Sequence, residues 1–183
     1  ETQIRANLLR LLNSPAAGHR GKIESLSQAL ETLGPRQLQR WLHILLYSKP
    51  GAPVDFDSPL LLMATTRGKL MELMIKRLRP SDQAAADTGF TVGILSQMDA
   101  MFSMSIADVL GTVALPDEVR EALLTRKGEL GVMLRIVESI ESNHYRTHEL
   151  TSLLRKVNLT AGDLTDIEIE AFEWVEKLAR DTR

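Results

Sequence analysis

The sequence predicts an all-α fold, a single compact bundle of roughly eight to ten helices built from residues 1–183. Three observations carry this. Apolar residues recur at intervals of three and four almost from end to end. No stretch alternates apolar and polar in the manner of a half-buried strand. No fixed-period repeat, low-complexity tract or long linker divides the chain.

The elements follow in order. Ile4, Leu8 and Leu11 or Leu12 form a first stripe, ended by "NSPAAG" with its Pro15 and Gly18. A short helix is expected from Ser25 to Leu33, stopped by Gly34. Pro35 then opens the next helix, at a position that needs no N–H donor. That helix carries Leu38, Leu42 and Leu45 on one face, and "KPGAPVDFDSP" reads as the clearest loop. A long helix is expected from Pro59 to Leu78, with "RPSD" as punctuation after it.

The stretch "GFTVGILSQMDAM" continues as one helix through Phe90, Ile94, Met98 and Met101, with the polar pair Ser96 and Gln97 inside it. "SIAD" at 105–108 is a capping box. Pro116 followed by Asp117 and Glu118 is a helix start. "GELGVMLRIVESIES" and the short "HELTSLLRKV" come next, and a final acidic helix places Ile167, Ala171, Val175 and Leu178 on one face.

Length and composition exclude several classes. A chain of 183 residues buries roughly 70% of its unfolded surface and needs no covalent staple. With no cysteine, it has no disulfide, thiolate metal site or cysteine nucleophile, which fits a reducing, cytoplasmic compartment. No apolar run approaches the ~20 residues of a membrane-spanning helix. Residues 1–50 carry seven Lys and Arg against three Asp and Glu, a net of +4, while residues 51–183 carry 15 against 21, a net of −6. A half of +4 is too weak to argue for nucleic acid. Because the chain opens at Glu1 with helical periodicity starting at once, a piece of a longer polypeptide is expected.

Catalytic motifs are scarce. Neither a Gly-rich phosphate cradle nor a G-x-S-x-G elbow is present. His144 and His148 stand four apart and would share a helix face, as a two-histidine metal site requires, but "HYRTH" lacks the glutamate of a zinc protease. A solvated polar face is the simpler account. His43 reads as a core-edge histidine bonded to a nearby acceptor, and His19 as exposed. Arg36, Arg40 and Trp41 could form a basic interaction surface with an aromatic edge; alternatively the arginines are outer-face solvation while Trp41 packs inward. The C-terminal acids Asp163, Asp166, Glu168, Glu170, Glu173 and Glu176 read as solvation, and Met71, Met74, Met98, Met101 and Met104 as core rather than an adaptable surface.

"NLLRLLNSPAAG" followed by "KIESLSQALETLGPRQLQRWLHILL" resembles the opening of the HDOD domain, the HD-related output domain of bacterial signalling proteins. The resemblance runs on through "RGKLMELMIKRL", "GFTVGILSQMDAMFSMSIADVLGTVALPDEVREALL" and "GELGVMLRIVESIE". "EAFEWVEKL" is similar to the tail of the subgroup joined to EAL-type cyclic-di-GMP phosphodiesterase domains. Related HD phosphohydrolases hold metal with a His-Asp dyad in a run like "GLLHDIG" and with an earlier histidine. The resemblance puts Ser96 and Gln97 at the dyad and Arg67 near the upstream ligand.

The resemblance therefore implies a vestigial pocket of Arg67, Ser96, Gln97 and Asp99 in a non-catalytic output domain, with no metal and no cofactor. It implies a fused or partner signalling module, a response-regulator receiver or an EAL-type domain, reached through protein contacts. Two alternatives stand beside it: a divergent phosphohydrolase using His144 and His148, and a nucleotide sensor binding near Arg67.

Overall fold

The structure is a computed structural model that describes residues 2–14, 17–18, 21–45, 47, 55, 58–102, 105–111, 115–142 and 147–181. Among the described residues every regular element is a helix. In chain order they are α1 (Thr2–Leu12), α2 (Leu26–Leu45), α3 (Pro59–Leu78), α4 (Gln83–Leu95), α5 (Met98–Phe102), α6 (Ile106–Gly111), α7 (Asp117–Thr125), α8 (Gly128–Glu141), α9 (Thr147–Lys156) and α10 (Ala161–Asp181). The all-α bundle predicted from the apolar spacing is the fold observed.

Local chemistry explains most of the boundaries. The side chain of Asn13 closes the turn after α1, donating to Leu9 O at 2.8 Å and Ile23 O at 2.7 Å and accepting from Ile23 N at 2.8 Å. Within α2 the chain kinks at Gly34, whose φ of 77° is left-handed territory open to glycine at little cost. The expected stop at Gly34 is thus a bend between two helical stretches. Asp82 caps α4 by accepting from Ala85 N at 3.0 Å. Ser105 accepts from Asp108 N at 3.2 Å and donates to the Asp108 carboxylate at 2.6 Å, so the "SIAD" box starts α6 as predicted. Asp117 and Glu118 occupy the first turn of α7, where the helix dipole favours them.

One boundary departs from the sequence reading. The helix expected to run unbroken through Phe90, Ile94 and Met98 ends at Leu95, and α5 restarts at Met98. Ser96 is the reason: its hydroxyl donates to Gly93 O at 2.7 Å, while the residue caps α4. The "KPGAPVDFDSP" loop lies mostly outside the described residues, as do His19 and His144.

The bundle is organised round α3, which packs most extensively on α4 and also against α10, α8 and α2. Every residue from Arg67 to Ile75 is buried, so this helix has no solvent face over more than two turns. Phe90, Ile94, Met71, Met74, Ile75 and Met133 are among the fully enclosed side chains of the core around it. Met98 is also in that core, in accord with the reading of these methionines as packing. Burial all round has an electrostatic consequence. Arg67, Lys69 and Glu72 lie within the enclosed stretch, and buried charges must find partners.

Candidate functional site

The carbonyl of Arg67 meets α4 at Gly93. A Cβ at Gly93 would lie 2.5 Å from the Arg67 carbonyl carbon and from Gly68 N, so only glycine allows the two backbones to come this close. That approach sets the Arg67 side chain beside the turn that ends α4. Its Nη1 donates to Ser96 Oγ at 2.9 Å. Nε donates to Glu141 Oε1 at 2.8 Å and Nη2 to Glu141 Oε2 at 2.6 Å, the paired geometry that a planar guanidinium offers a carboxylate. The Gln97 amide, turned with its oxygen toward the arginine, accepts from Nη2 at 2.9 Å and from Nε at 3.0 Å. The Arg67 side chain is 11% exposed and that of Glu141 27%.

The structure therefore brings together three of the four residues of the expected pocket and adds Glu141 from the end of α8. Ser96 and Gln97 are both buried and face the arginine rather than solvent. Asp99 stands apart: it is exposed on α5 and accepts from Ala100 N at 2.8 Å. Tyr47 roofs the turn by donating its hydroxyl to Ile94 O. Burial pushes the Tyr47 phenol well up, so it stays a neutral donor.

These side chains do not fit a divalent ion. A hydroxyl and a neutral amide are weak ligands, and the group at the centre is a permanent cation. Glu141, the one carboxylate present, is engaged twice by the guanidinium. The arginine's donors are likewise taken by Glu141, Ser96 and Gln97, which leaves little for a nucleotide phosphate at this position.

The other sequence candidates fall elsewhere. Arg36, Arg40 and Trp41 do not form a surface. Arg36 is exposed, but Arg40 is 8% and Trp41 2% exposed. Arg40 turns inward because a buried carboxylate awaits it: Nη2 donates to Glu72 Oε2 at 2.6 Å, and the guanidinium carbon sits 3.8 Å above the centre of the Phe90 ring. Trp41 packs near Trp174 of α10, with ring centres 6.3 Å apart. His148 is exposed on α9, and the described residues contain no group of three His, Cys, Asp or Glu able to hold a metal. His43 was expected to be bonded, yet its buried Nδ1 has no partner among the described residues. Burial lowers its pKa, which keeps the ring neutral. Of the C-terminal acids, Asp163 has a structural task, since Arg77 of α3 donates to it at 2.7 Å and it caps α10 through Thr160.

A helical bundle with arginine, serine and glutamine at the expected ligand positions is an HD-related bundle whose metal-binding side chains are replaced. Residues 1–108 match the HDOD domain, and the chain belongs to that family. It is 30% identical over 175 residues to the uncharacterized protein YuxH of Bacillus subtilis, covering 93% of this chain and 40% of that protein. It is 26% identical over 175 residues to the cyclic di-GMP phosphodiesterase CdgJ of Vibrio cholerae, covering 94% of this chain and 39% of that protein. The chain thus spans about two fifths of the length of these relatives. No solved structure matches it.

Proposed function

We propose that this chain is a non-catalytic regulatory domain that acts through protein contacts on a signalling module of the same polypeptide or of a partner. The observation that carries the reading is the Arg67 guanidinium, clasped by Glu141 and Ser96 at the position where an HD-type site would need a metal ligand. A metal-activated water has nothing to hold it there. A relative named as a cyclic di-GMP phosphodiesterase, with more than half its length outside the match, supports a module of that kind as the regulated partner. On this reading the present chain, residues 1–183, is the HDOD part of a longer signalling protein. No helix among the described residues is long and apolar enough to cross a membrane, in keeping with a cytoplasmic role.

The test is hydrolysis of bis(p-nitrophenyl) phosphate by the purified chain in the presence of Mn²⁺, Fe²⁺ or Zn²⁺. The expected result is no turnover above the free-metal control. Turnover that disappears in Ser96→Ala or Gln97→Ala, with the fold intact, overturns the proposal. Contacts need a different probe from the Arg36/Arg40 pair, because charge reversal at Arg40 would break the interior rather than a surface.

A further inference from the structure

A second charged cluster lies on another side of α3. From Arg67 to Glu72 is five residues, about 140° round a helix of 3.6 residues per turn. Here three cations converge on one carboxylate. Glu72 Oε2 accepts from Arg40 Nη2 at 2.6 Å and from Lys69 Nζ at 3.3 Å, and Oε1 accepts from Lys76 Nζ at 2.6 Å. Glu72 is 1% exposed. The cluster keeps two positive charges in excess of its own carboxylate.

Acceptors are short as well as charge. Lys69 carries three donors, is buried, and has one long bond to Glu72, with the Trp174 ring 5.2 Å from its nitrogen. Arg40 Nε, also buried, has no partner among the described residues. A further carboxylate stands close by without relieving this. Asp87 accepts from Gln37 at 3.2 Å and from Gln83 at 2.8 Å, so it is engaged by amides and not by the cations.

These groups line a cleft of about 200 Å³, walled by Trp41 and Trp174 and rimmed by Gln37 and Gln83. Burying cations beside a vacant cleft without enough acceptors costs stability, unless the cleft receives an anion. Its size decides what kind. Pockets for whole drug-sized ligands start at roughly 300 Å³. This one admits a phosphate-sized head group, and a cyclic dinucleotide is too large for it.

We propose that the cleft is a binding site for a small phosphate-type oxyanion, with Lys69 and Lys76 as its charge donors and Trp174 as its wall. The bound anion would supply the acceptors that Lys69 lacks and would tie α3 to α10. This inference is independent of the reading of Arg67, and either can fail alone.

Both tryptophans of the chain border the cleft, so intrinsic fluorescence reports on it directly. The experiment titrates the purified chain with inorganic phosphate at constant ionic strength, using chloride as the control salt. Expected is a saturable change in tryptophan emission specific to phosphate, with affinity reduced at least about tenfold in Lys69→Met and in Lys76→Met, the loss of one charge-assisted hydrogen bond. Arg36→Ala, at an exposed position outside this cleft, should titrate like the parent. Lys76→Met leaves the Arg40–Glu72 pair in place and keeps the test decisive should Lys69→Met fail to fold. A response that matches chloride, or one unchanged in the folded lysine variants, overturns the proposal.

Discussion

Replacing Glu72 by Gln probes the charged interior most sharply. The substitution keeps the volume and removes the carboxylate that Arg40, Lys69 and Lys76 share. Breaking a buried ion pair by removing one partner costs about 3–5 kcal/mol, since the remaining charge is left uncompensated. Lys76 reaches solvent and softens the effect, which points to the lower end, about 3 kcal/mol.

The pH dependence gives an independent figure. Burial alone would raise the Glu72 carboxyl, but Arg40 and then Lys69 outweigh it and hold the group at about 2 against an ordinary 4.5. At about 1.4 kcal/mol per pH unit this separation amounts to roughly 3 kcal/mol at neutral pH. The folded value lies below the unfolded one. The contribution is therefore whole above pH 4.5 and is lost as pH falls through 2. About 2 kcal/mol of it should be gone at pH 3.

The assay is urea unfolding followed by helical circular dichroism, at pH 7 and pH 3, for the parent and Glu72→Gln. The variant should be less stable at pH 7 by about 3 kcal/mol. Its acid-induced loss should be about 2 kcal/mol smaller than the parent's. Equal stability at pH 7, or equal acid-induced losses in the two proteins, would refute the reasoning.

Three further substitutions test other parts of the account. Gly93→Ala should destabilise by about 1–3 kcal/mol, because its Cβ meets backbone atoms of α3 that cannot turn aside; thermal unfolding reads this directly. Arg67→Met should cost about 1–3 kcal/mol by stranding Glu141 and Ser96 without their donor, measured by urea unfolding. Ser105→Ala should weaken α6 by about 0.5–2 kcal/mol through loss of its cap, seen as faster amide exchange over residues 106–111.

What the sequence made legible, and what it did not, follows from the range of the forces involved. Local signals were reliable: the bounds of α3, the bend at Gly34, the Ser105–Asp108 box and the start of α7 depend on residues within one turn of each other. The break after Leu95 was hidden because the apolar stripe runs straight across it, and the hydroxyl that stops the helix looks like any serine.

Partners distant in sequence left no trace. Glu141 is 74 residues from Arg67, and nothing in "RIVESIES" distinguishes it from Glu138, which pairs with Arg126 instead. Arg40 and Trp41 misled for the same reason. An arginine four residues from another reads as an exposed stripe unless Glu72, 32 residues on, is known to be enclosed and waiting. Arg67 and Ser96 were joined through the family pattern, and the close approach of Gly93 to the Arg67 backbone gives that pairing its physical basis.

Metal analysis of the purified chain, after equilibration with Mn²⁺, Fe²⁺ and Zn²⁺ and removal of free ions, tests the central claim most directly. With the guanidinium of Arg67 held by Glu141, Ser96 and Gln97, the account predicts metal well below one ion per chain. One ion per chain, released on substitution of Ser96, Gln97 or Glu141, would contradict it.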